Sequence, residues 1–115
     1  MTYLDGAIYA VPTNRKEEYR EHSQHIAKLF KEYGALKVVD CWGVDVPEGE
    51  LTSMPMAVKC QANETVCFSW ITWPSQEVQK EAWEKIMQDE RMHKMGMPFD
   101  GKRMIFGGFE VISEA

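Results

Sequence analysis

A chain of 115 residues with 44% hydrophobic and 27% charged side chains can bury one core and is read as a single domain spanning 1–115, with no linker or low-complexity tail. Its formal net charge of −5, with Lys and Arg interleaved among Asp and Glu, excludes a nucleic-acid partner on electrostatic grounds, because phosphate contacts need a clustered basic surface. No run approaches the roughly 18 apolar residues of a membrane span, so no membrane partner is expected.

Met1 to Asp5 lack the basic start of a secretory leader. The three cysteines, Cys41, Cys60 and Cys67, show no C-x-x-C spacing and suit reduced thiols. A cytoplasmic location is expected.

Tyr3 to Val11 is rich in Tyr, Ile, Ala and Val and is closed by Pro12, which predicts a first strand. Asn14 and Glu17 stand three apart, the spacing of a capping box. Tyr19, His22, Ile26, Leu29, Phe30 and Tyr33 then recur at helical spacing, and Gly34 sits where a left-handed residue would end that helix. Leu36 to Trp42 predicts a second strand, interrupted by Asp40. Gly43 to Ser53 reads as loop; Met56 to Cys60 is read as a short pairing arm or the start of a hairpin, weakened by Pro55.

Val66 to Trp73 is the stretch the rest of the chain must accommodate. Its β-branched and aromatic residues fill both alternating sets, so a strand there has no polar face to turn to water. Ser75 is a natural N-cap for a second helix carrying Val78, Ala82, Trp83, Ile86 and Met87. His93 to Asp100, with Gly96 and Pro98, is expected to be loop. Met104 to Ile112 predicts the last strand, its Gly107-Gly108 pair suggesting a bulge or a close backbone approach.

Strand, helix, strand, strand, helix, strand predicts an α+β, ferredoxin-like βαββαβ fold: a four-stranded antiparallel sheet with two helices on one face. The other face is expected bare. It measures roughly 23 by 19 Å, about 400 Å² in projection, near the upper end of what monomers expose. Burying it at ~25 cal/mol per Å² yields on the order of 10 kcal/mol before association costs. A homodimer with the two sheets facing each other is therefore expected.

The runs Cys41-Trp42-Gly43, Phe68 to Ser75 and Met97 to Phe109 resemble the YbaA-like bacterial family of unknown function. The likeness spans nearly the whole chain. It implies the dimeric α+β barrel superfamily, whose members include cofactor-free monooxygenases, isomerase-like enzymes and ligand-sensing domains, so the fold does not choose a function.

Candidate chemistry is scattered. Asp40 and Asp5 interrupt apolar strands, and either would be a proton acceptor if aimed into the barrel; at a strand end it would be structural. Phe99, Asp100, Lys102 and Arg103 can ring a pocket mouth, Arg103 offering a planar fork to an anion; a charged turn with an edge salt bridge is the simpler account. Trp42, Trp70, Trp73 and Trp83 offer aromatic surface to a flat ligand between the sheets, core and interface packing being the simpler account. His22 and His25, with Glu18 and Glu21, lack a further strong ligand, and Met92, His93, Met95 and Met97 read as apolar filling, so no metal is expected. Without a phosphate loop or nucleophile elbow, no cofactor is expected. Two readings follow: a dimer binding a small organic molecule between sheet and helices or at the dimer core, or a cofactor-free monooxygenase- or isomerase-like enzyme on a small aromatic or enolisable substrate, in which Asp40 or Asp5 takes a proton and Arg103 or an indole N–H steadies the anion.

Overall fold

The computed structural model describes residues 2–115. Four strands, β1 (Tyr3–Pro12), β2 (Lys37–Trp42), β3 (Glu64–Trp73) and β4 (Ile105–Glu110), form one sheet in the order β2-β3-β1-β4, and every pairing is antiparallel. Helices α1 (Lys16–Glu32) and α3 (Gln76–Gln88) link them, with short helices α2 (Met54–Ala57) and α4 (Glu90–Lys94). This is the ferredoxin-like α+β arrangement that the order of elements requires.

The strand register sorts side chains by face. Tyr9 stands opposite Cys67, Asp5 opposite Ile71 and Tyr3 opposite Trp73; Val38, Asp40 and Trp42 continue that set on β2, opposite Ile71, Ser69 and Cys67. Alternation puts all of these on one face. There α1 and α3 bring Leu29, Phe30, Ala82 and Ile86 onto Trp73, with Ile71, Val38 and Tyr3 at the margin. Trp73, Leu29 and Ile86 are fully buried, so the run Val66 to Trp73 is indeed covered on its helix side.

The second face, expected to be bare, is partly covered. Val58, fully buried, packs with Ala10 and Val66, and Ile8, Val46 and Cys60 join them. The segment expected to pair as an arm is instead helix α2, capped by Ser53, whose Oγ accepts from the Met56 N–H, followed by a turn that drops Val58 onto the sheet. Pro55 fits at the start of that helix, where its missing N–H costs nothing. Away from this cover, Phe68, Ile105 and Phe109 remain 38%, 43% and 58% exposed.

Local signals hold or fail for identifiable reasons. Gly34, at φ +109°, ends α1 in a Schellman motif: Ala35 N–H donates to Phe30 O at 3.0 Å and Gly34 N–H to Lys31 O at 3.2 Å. Ser75 caps α3 through the Val78 N–H. The capping box at Asn14 does not form. The segment Thr13–Arg15 is a 3-10 turn held by Thr13 N–H to Asn63 O; α1 then starts with no side-chain cap, and Glu17 pairs with Arg20. His93 lies in helix α4, not in loop, because Asp89 caps that turn through the Arg91 N–H. The β4 register is continuous against β1, so there is no bulge at Gly107-Gly108. The close approach there is a side chain: a Cβ on Gly108 would meet the Tyr3 ring.

Candidate functional site

Three oxygens from three elements meet on the helix side of the sheet. Asp40 comes from edge strand β2, Tyr9 from central strand β1 and Tyr19 from the first turns of α1. Both phenols lie against Asp40 Oδ1, Tyr9 at 3.1 Å and Tyr19 at 3.2 Å, and the two phenol oxygens are 2.5 Å apart. Two phenolic protons thus serve three close oxygen pairs. Asp40 Oδ2 has no protein donor among the described residues. The tyrosines are 5% and 4% exposed; burial first, then neighbouring negative charge including that of Asp40, holds both phenols protonated far above their ordinary range. They act as donors, not as bases.

Apolar groups frame the cluster. Phe99 stacks on Tyr9 with ring centroids 4.3 Å apart, Trp42 tilts against Tyr19 at 6.0 Å, and Cys67 is fully buried beside them. Burial and the Asp40 charge push the Cys67 thiol up to about 12, which leaves it a packing group. His22 sits edge-on to Phe99 at 6.4 Å. Burial pulls its pKa down, opposed by the Asp40 charge.

Outward from the cluster, an open cleft of about 300 Å³ runs between α1 and β2. Tyr19 and Asp40 form its floor, Trp42, Val38 and Ala27 its apolar lining, and Lys16, Arg20, Ser23 and Gln24 its rim. Lys16 Nζ lies 5.5 Å from the centre of the Trp42 ring. The cleft combines an open carboxylate oxygen, two buried phenols, one aromatic wall and cationic groups at the mouth. That set can hold a small organic molecule carrying a hydrogen-bond donor, and it can accept a proton from it.

Residues 2–101 match the family described as "Protein of unknown function (DUF1428)". The chain belongs to this family. It is 55% identical over 114 residues to "Uncharacterized protein YbaA" of Escherichia coli (strain K12), and equally to the protein of that name in Shigella flexneri, the match covering 97% of each chain. Among solved structures it is similar to a Bacillus cereus protein named "Putative Antibiotic Biosynthesis Monooxygenase", with a TM-score of 0.59 over 100% of this chain and 95% of that one. At 12% identity that likeness shows the shared α+β fold.

The other residues singled out in the sequence lie elsewhere. Asp5 faces the helices at the far end of β1, where Oδ2 accepts from Trp73 Nε1 and Trp83 Nε1, both at 2.9 Å, and Oδ1 from Gln79 Nε2 at 3.0 Å. Both its oxygens are occupied. Arg103 does not reach the cleft: its fork closes on Glu64 at 2.8 and 2.7 Å, it also donates to Lys59 O at 2.9 Å, and its Nε holds Asp100 at 3.1 Å. Asp100 caps the turn through the Lys102 N–H, and Lys102 is exposed. Trp70 is on the opposite face, 5.6 Å from Phe68. Of the predicted set, Asp40 and Trp42 line the cleft, with Phe99 behind. The phenols were missed. Their signal was present as two tyrosines on predicted apolar stripes, which need partners for their hydroxyls once buried.

Proposed function

We propose that this protein is a homodimer that binds a small organic molecule in the cleft between α1 and β2. The observation that supports this most is Asp40 Oδ2, an acceptor left without a protein donor at the floor of a cleft with an aromatic wall and buried phenols. Natural ligand sites pair apolar lining with a few placed polar groups in this way, and about 300 Å³ suits a small metabolite. A working place in the reducing cytoplasm is supported by three free cysteines.

A metabolite library screened by thermal shift tests the binding reading, because a specific ligand raises the melting temperature by mass action. The expected hit loses its effect in Asp40→Asn and is weakened in Tyr19→Phe. Hits insensitive to both substitutions would move the site elsewhere.

The dimer is supported by the apolar set on the second face. Leu4, Ile8, Val39, Phe68, Trp70, Ile105 and Phe109 share it by register, and no described charged side chain from the middle of a strand joins them. Light scattering should give twice the chain mass at micromolar concentration, and Phe68→Glu should give a folded monomer, since a charge at the centre of a desolvated patch has no partner. A wild-type monomer would end the dimer reading.

A second reading is a cofactor-free oxygenase or isomerase. It is favoured by Asp40 sitting beside two protonated phenols, one group able to take a proton and two able to donate to the resulting oxyanion. The fold shared with the Bacillus cereus protein is compatible with it. Turnover of a hit from the screen, lost in Asp40→Asn with binding retained, would separate catalysis from binding.

A further inference from the structure

The cleft does not end at Ala27 and Val38. A second, wider hollow of about 740 Å³ begins at those same two residues and is lined by Lys28, Lys31, Glu32 and Lys37, so the two join into one trough along the α1–β2 seam. Charge along it runs against that of the whole molecule. The chain carries a net −5, yet five of its 13 Lys and Arg residues line the trough against two carboxylates, Asp40 and Glu32. Glu32 is engaged by Arg91 at 2.7 Å. Lys28 has no ion-pair partner among the described residues, and Lys31 spends one proton on Leu36 O at 3.1 Å; Lys37 lies at the rim, its place in the strand alternation turning it toward the second face.

The order of chemistry along the trough is therefore acceptor, apolar, cation. Asp40 Oδ2 waits at one end, Ala27 and Val38 form the waist, and the lysines occupy the other end. The helix sets the scale: Tyr19, beside Asp40, is nine residues before Lys28 and twelve before Lys31, about 13 to 18 Å at the helical rise. A compound confined to the Asp40 end would leave the lysines unused. A compound with a carboxylate or phosphate tail of that length would meet them, and charge-assisted bonds of this kind are the stronger ones.

We propose that the seam between α1 and β2 binds an elongated organic anion, its O–H or N–H donor end on Asp40, its apolar middle over Ala27 and Val38, and its acid group between Lys28 and Lys31. This rests on the cleft reading above and names the chemical class that the cleft takes.

Three probes test it by isothermal titration at low and high salt: ω-(para-hydroxyphenyl)octanoate, its methyl ester, and ω-phenyloctanoate. The hydroxylated acid is expected to bind about tenfold more tightly than either of the others, with the advantage over the ester shrinking at high salt. The double substitution Lys28→Gln and Lys31→Gln, at two exposed positions, should abolish the preference for acid over ester and keep that for hydroxyl over hydrogen. Asp40→Asn should do the reverse. Equal binding of acid and ester by the wild type, or an acid preference untouched in the double variant, overturns the proposal. So does failure of all three probes to bind; if a library compound then still stabilises the protein and loses that effect in Asp40→Asn, the cleft reading stands and only the elongated-anion inference falls.

Discussion

Asp5 and Asp40 lie on the same face of the same sheet, both under helices, and neither has a cation within ion-pair distance among the described residues. They are held in opposite ways. Asp5 spends both oxygens on three neutral donors, two of them indole N–H groups from β3 and α3, and so pins α3 to the sheet. Asp40 takes two phenols on one oxygen and leaves the other open to a cleft. A carboxylate whose hydrogen-bonding capacity is filled by its own chain is a structural part; one with capacity to spare at a cavity floor is a binding group.

The largest expected effect falls on the filled site. Asp5→Leu orphans two indole donors at once, at a cost of about 3 kcal/mol in urea unfolding. Asp5→Asn should cost less, since an amide oxygen still accepts. A loss under about 1 kcal/mol in the leucine variant would mean that α3 is held by packing alone.

Glu64 supplies a third case, a carboxylate held by a cation. The Arg103 guanidinium keeps its pKa below the usual glutamate value. A carboxyl depressed in the folded state contributes stability that is present above its unfolded value, about 4.3, and is lost as pH falls through the folded value. Glu64→Gln should therefore lower the melting temperature at neutral pH and make its decline below about pH 4.3 shallower than in the wild type. An unchanged acid limb would show that this pair, although the fork is bidentate, does not couple to folding.

Asp40→Asn is expected to change unfolding by less than about 1 kcal/mol, because the amide oxygen can still accept from Tyr9 or Tyr19 while the open oxygen had no partner to lose. The contribution of a ligand's hydrogen-bond donor to binding should disappear. A loss as large as that in Asp5→Leu would erase the contrast and make Asp40 a second structural pin.

How much of this was readable in the chain follows the range of the forces involved. Periodicity and single-residue signals are local, so the strands, the two long helices, the glycine stop at Gly34 and the serine cap at Ser75 were legible. The short helices were not. α2 depends on Ser53 capping and on Val58 finding the sheet, and α4 on Asp89, which also accepts from Tyr33 at 2.7 Å across the helix pair. The site was legible only in part. Asp40 stood out as a charge in an apolar strand, but its phenols lie 31 and 21 positions away on other elements. Arg103 looked free because Glu64, which occupies its fork, is 39 positions distant. No local pattern shows which of two such charges tertiary contact will consume.

The smallest effect is also the most selective. His22 neighbours the Asp40 cluster through Phe99; burial depresses its pKa, the Asp40 charge raises it, and the nearby His25 charge lowers it. Since the folded state favours the neutral ring, the unfolded chain binds more protons below the ordinary value of about 6.5, and stability should fall as pH drops from there. His22→Gln should remove that slope from the melting temperature below about pH 6.5. In an NMR titration of the His22 ring, Asp40→Asn deletes the one favourable charge and should move the midpoint further down, whereas Asp5→Asn, at the other end of the sheet, should leave it in place. Equal movement in both variants would mean that His22 reports a general loosening of the helix layer, and that the charge of Asp40 is not what faces the cleft.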